Sequence, residues 1–145
     1  MSSSLDRIDL TATAMTPSSA LDIAGQAVRS FNHRTNTRFS DSRNGWNHVP
    51  DVYRCLGELT YLTGGLRQAI WHMTEAMQAQ LETGHVGADS GSQYDGQPEA
   101  AIAAACGALS HARTALSRLY AELDLAQAAI SRIHYSGPDL DGGNT

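Results

Sequence analysis

The stretch Pro98–His134, PEAAIAAACGALSHARTALSRLYAELDLAQAAISRIH, decides the fold. Every seventh residue from Ile102 is apolar: Ile102, Leu109, Leu116, Leu123, Ile130. So is every seventh from Ala105: Ala105, Ala112, Leu119, Ala126, Ile133. The two rows interleave at three- and four-residue steps, the spacing of one face of an α-helix, and together they form a heptad seam with no polar interruption. Pro98 and Glu99 suit a first helical turn, because proline lacks an amide that would go unpaired there and an acid complements the positive helix end. Gly137-Pro138 stops the helix, and His134 sits at its negative end. Beside the seam run a third row, Ala101, Ala108, Ala115, Glu122, Ala129, and a row of small residues, Ala100, Gly107, Thr114, Ala121, Ala128.

A second long helix is expected over 51–83, opened by Pro50 and Asp51 and ended by Gly84. Its seam reads Val52, Leu56, Leu59, Thr63, Leu66, Ile70, Met73, Met77, Gln80, with Cys55, Leu62, Ala69 and Ala76 as a flanking row. Three rows in seven make a face broad enough for a globular bundle. Gly64-Gly65 costs about 1 kcal/mol per glycine relative to alanine and marks a bend or loose point. Residues 84–97 carry four glycines and no apolar period, and read as a flexible loop.

Working outward, residues 1–17 read as a disordered Ser/Thr-rich tail. Ser18 or Ser19 caps a short helix over 18–33, with Leu21, Ala24, Val28 and Phe31 on one face. Residues 34–49 are a linker with an Asn44-Gly45 turn signal, and residues 138–145 are a disordered tail. The expected fold is therefore all-α: a long antiparallel helical hairpin, coiled-coil-like, over 50–137, plus a short N-terminal helix and flexible tails. The structural weight falls on Leu59, Leu66, Ile70, Leu109, Leu116, Leu119 and Leu123. A hairpin turning near residue 91 brings Cys106 level with Ala76 and His72 level with Ser110–His111. Cys55 and Cys106 are then too far apart to form a disulfide within one chain.

Composition excludes several function classes. The chain has a net charge of −5, and all ten of its cations are arginine. That charge argues against generic binding to nucleic acid or to anionic membranes. Arginine without lysine, among many alanines and glycines, points to a high-GC bacterial genome. No apolar run approaches the length of a membrane span. The N-terminus lacks the basic and apolar regions of a signal peptide, so a cytoplasmic location is expected. The six histidines (33, 48, 72, 85, 111, 134) include no i, i+4 pair, and no Cys-x-x-Cys motif is present. No metal or other cofactor is expected. Sparse carboxylates, two thiols beside apolar rows and the lack of a phosphate-binding glycine loop argue for a non-enzymatic protein.

The two long helices alone cannot cover the small-residue rows, and a four-turn N-terminal helix can supply only part of the third layer they need. A second copy completes a four-helix bundle, so the expected partner is protein, with a homodimer favoured. Ala108, Ala115, Trp71 and Tyr120 are the candidate interface residues, since exposed aromatic side chains are frequent anchors. One alternative rests on the stretch with Arg29, Arg34, Arg38 and Arg43, one acid (Asp41), and Phe31, Phe39 and Trp46 close by. Cations with interleaved aromatics suit phosphate contacts and base stacking. A second alternative is a secreted hairpin. Tyr120-Ala-Glu-Leu-Asp124 and Tyr135-Ser-Gly-Pro-Asp139 are similar to the Tyr-x-x-x-acid tail signal of WXG-type proteins. The loop 84–97 departs from that pattern in having no Trp, and residues 45–46 read Gly-Trp.

One more resemblance lies in Gly45-Trp46, Asp51-Val-Tyr53, Leu56-Gly57-Glu-Leu59, Leu62 and Leu66-Arg-Gln68. This segment resembles small uncharacterised helical proteins of high-GC actinobacteria, some of them from mobile elements. The resemblance carries no activity and implies a bacterial regulatory or accessory setting.

Overall fold

In a computed structural model of the chain, residues 15–35 and 49–134 are described. They form three α-helices, α1 (Pro17–Thr35), α2 (Val49–Glu82) and α3 (Pro98–Ile130), and no strand. The chain divides into two compact units, 1–47 and 48–145. The sequence expectations for the tails and for most of the linker (1–14, 36–48 and 135–145) lie outside the described residues.

In the first unit, α1 begins one residue earlier than expected, and its cap is not Ser18 or Ser19. Thr16 Oγ1 accepts from the Ser19 amide at 3.2 Å, and the Ser19 hydroxyl donates back to the Thr16 carbonyl at 2.8 Å. The first of these bonds satisfies a first-turn amide, and Pro17 stands at the first helical position, where its missing amide is not needed. Leu21, Val28 and Phe31 are exposed along α1.

In the second unit, α2 and α3 pack together and run antiparallel. Gln127 lies against Gly57 and Tyr120 against Gly64, so seven residues forward on α2 match seven back on α3. The register is two residues from the one expected. It puts Cys106 level with Gln78 and Cys55 level with Ala129. The thiols are then separated by about 35 Å along the axis, and both are free.

α2 is continuous through Gly64-Gly65. It ends where expected: Gly84 takes φ +71, the left-handed conformation glycine adopts without penalty, and its amide donates to the Leu81 carbonyl at 3.1 Å. The loop that follows is a run of turns, Ser92 to Asp89, Asp95 to Ser92 and Gln97 to Tyr94. α3 ends at Ile130, four residues short of His134.

The seam needs correction. Ile102, Leu109, Leu116, Leu123 and Ile130 are all half-buried, as are Val52, Leu56, Ile70 and Met77. Leu59, Leu66, Met73 and Leu119, however, are 36–46% exposed. A straight helix turns 3.6 residues per cycle, so a row spaced by seven drifts about 20° per heptad. On α2 the row 59/66/73/80 is exposed from its first member, while in the row beside it Thr60 is buried, Arg67 exposed, and Thr74 and Leu81 half-buried. On α3 the row Ala105, Ala112, Leu119, Ala126 gives way to one ending at half-buried Gln127.

The contact centre on α2 is consequently threonine. Thr63 is 2% exposed and Thr60 8%. Their hydroxyls donate to the carbonyls of Leu59 and Leu56, both at 2.8 Å. Each polar atom is satisfied within its own helix, which allows a small side chain at the interface without an unpaired donor. No apolar side chain among the described residues is fully buried.

Candidate functional site

The α2–α3 pair has two unlike sides. One carries the row Gly57, Gly64, Trp71 on α2 and the row Arg113, Tyr120, Gln127 on α3. The small residues make room for the long ones. A Cβ on Gly57 would stand 2.8 Å from Gln127 Nε2, and one on Gly64 would stand 3.9 Å from the Tyr120 ring. Gln127 Nε2 donates across the pair to the Tyr53 carbonyl at 3.1 Å. Gly57→Ala displaces that amide, so the hydrogen bond offsets much of the alanine helix preference of about 1 kcal/mol. Thermal denaturation is expected to show a smaller gain for Gly57→Ala than for Gly65→Ala, whose Cβ meets nothing within 4 Å.

One turn along, the same side opens into a groove of about 300 Å³ lined by Gly64, Arg67, Gln68, Trp71 and Arg113. The Trp71 ring leans on His72 at 4.8 Å between centroids and 54° between planes. His72 Nε2 in turn lies 3.4 Å from the Gln68 amide. Trp71 thus stands at the groove edge with His72 beside it.

The other side carries the outward rows, Leu59, Leu66, Met73 on α2 and Ala105, Ala112, Leu119, Ala126 on α3. None of these side chains is charged.

The four candidate interface residues divide between the two sides. Trp71 and Tyr120 belong to the glycine side. Ala108 and Ala115 stand about 140° round α3 from Arg113 and Tyr120, given 100° per residue, and so belong with the apolar rows. All four are exposed. Sequence reasoning singled out Trp71 but missed Arg67 and Arg113, because only the register brings the two arginines to one groove. Of the basic stretch, Arg29 lies 4.0 Å from Asp22 and Arg34 is about 140° round α1 from it. Arg38 and Arg43 lie outside the described residues.

Among the described residues, no three His, Cys, Asp or Glu side chains are grouped to hold a metal ion. No helix among them is long and apolar enough to cross a membrane. No protein-family model, curated protein or solved structure matches the chain.

Proposed function

We propose that this chain is a non-enzymatic helical assembly protein. In this reading the α2–α3 pair is a long, coiled-coil-like hairpin, and two copies join through the apolar rows into a four-helix bundle. One observation carries it: Leu59, Leu66, Met73 and Leu119 remain 36–46% exposed along one side of a pair that has no fully buried apolar side chain. A second copy is the occupant that fits. The helices overlap over about 45 Å at 1.5 Å per residue. With axes 8–10 Å apart, the pair offers a footprint of roughly 900 Å², against about 800 Å² per partner in a stable interface. Apart from Glu122, which continues the Ala108/Ala115 row, these rows are uncharged and give a different partner little charge pattern to recognise, whereas two-fold pairing needs only self-complementarity. The interface then includes Ala108 and Ala115 and leaves out Trp71 and Tyr120.

Light scattering coupled to gel filtration tests this. The expected mass is twice the 15.5 kDa of the chain. Ala115→Arg is expected to shift it to the single-chain mass by placing a cation in an apolar contact, while Trp71→Ala leaves the dimer intact. A single-chain mass for the unaltered protein at high concentration overturns the reading.

A further inference from the structure

The middle of the α2–α3 pair has a charge pattern opposite to that of the whole chain. The register sets α2 residues 63–74 level with α3 residues 110–121. These two segments contain no Asp or Glu, yet hold Arg67, Arg113 and Arg118 along with His72 and His111. A chain of net charge −5 thus carries a positive belt around its waist. Within that belt the groove brings together Arg67 from one helix and Arg113 from the other, with the edge of Trp71 beside them.

Neither arginine has a carboxylate to satisfy it. The ion pairs among the described residues are Arg29–Asp22 and Arg54–Asp51. Arg113 Nε is moreover shut away from solvent with no acceptor. A buried donor without a partner costs about 1–3 kcal/mol, and more on a charged group. Two uncompensated guanidinium groups at one groove add mutual repulsion. Both costs fall beside the groove, where Gly64 carries no side chain.

We propose that this groove binds a small organic oxyanion, a carboxylate or phosphate carried on a flat ring. Guanidinium groups present paired donors that match the oxygens of either anion. The indole of Trp71, 42% exposed and beside His72, offers a surface for the ring. The two arginines come from different helices, so a bound anion ties α2 to α3 and stabilises the pair in proportion to its occupancy. The site lies on the side away from the apolar rows and does not depend on self-association.

Isothermal titration at constant ionic strength tests the site with three probes: phenyl phosphate, benzoate and inorganic phosphate. Phenyl phosphate or benzoate is expected to bind saturably, one per chain, at millimolar affinity or tighter, and the tighter of the two identifies the headgroup. Inorganic phosphate is expected to bind more weakly than phenyl phosphate. Arg67→Gln and Arg113→Gln are each expected to weaken binding at least about tenfold. Trp71→Ala is expected to remove the advantage of phenyl phosphate over phosphate. Arg67 is exposed, so Arg67→Gln keeps the fold and decides the matter even where Arg113→Gln does not. The absence of saturable binding by either ring-bearing probe overturns the proposal. Binding unchanged by Arg67→Gln does the same.

Discussion

Thr63→Asp is expected to abolish cooperative folding of the α2–α3 pair. Thr63 is the most enclosed side chain of the described residues, at 2% exposure, and its hydroxyl already uses the nearby Leu59 carbonyl. A carboxylate there faces an acceptor rather than a donor, and Arg67, four residues on, is exposed, so pairing with it would draw the carboxylate out of the contact. An uncompensated buried charge costs about 3–5 kcal/mol. A unit of this size has roughly 4–13 kcal/mol to lose, and one without a buried apolar core belongs at the low end. Far-UV circular dichroism on heating is expected to show a broad, uncooperative loss of helix. Thr63→Val is the control. It replaces the hydroxyl by a methyl of nearly the same shape, and the Leu59 carbonyl retains its helical partner. Its melting curve is expected to stay within about 1 kcal/mol of the unaltered protein. A cooperative, unshifted transition in Thr63→Asp would show that the contact centre lies elsewhere.

The second large effect has the opposite sign. Gly64→Ala with Gly65→Ala is expected to stabilise the pair by about 2 kcal/mol, since each glycine inside a helix costs about 0.8–1.0 kcal/mol relative to alanine. Neither residue has positive φ. A Cβ at Gly65 meets open space, and one at Gly64 makes an ordinary contact with Tyr120 at 3.9 Å. For a unit of this length the gain corresponds to a rise in Tm of roughly 10 °C. Gly84→Ala is expected to go the other way by about 1 kcal/mol, because φ +71 suits glycine and strains alanine. If the double variant melts no higher than the parent, these glycines are holding a conformation that alanine cannot take.

Much of the helical architecture is legible in the residues. Pro98, the apolar row Ile102 to Ile130 and Gly84 are local signals, and they mark helix starts, faces and stops through steric and hydrogen-bonding preferences that need no distant partner. The expected turn near residue 91 came within two residues of the observed register, because two helices of similar length joined by one loop have few ways to align. The cap of α1 was misplaced because Thr16, Ser18 and Ser19 are chemically alike, and geometry alone decides which hydroxyl faces the amides.

The rows that meet were less legible. A heptad reading treats Leu59 and Leu66 as inward because they are apolar and seven apart. Leu59 is exposed from the first turn of that row while its neighbours Thr60 and Thr63 are buried, so the rotation of α2 against α3 decides which side of the seam meets the partner. The groove was illegible for a related reason. Arg67 and Arg113 are 46 residues apart, and nothing local links them until the register places their turns side by side.

The sequence by itself determined that the chain is helical, where α2 ends and α3 begins, and which residues have small enough side chains for a close approach. These follow from backbone preference and periodicity. The tertiary structure alone decided that Thr63 rather than Leu66 lies at the contact, and that the apolar rows and the arginine groove fall on opposite sides. Both depend on the rotation of each helix about its axis, which is set by the packing of one helix against the other.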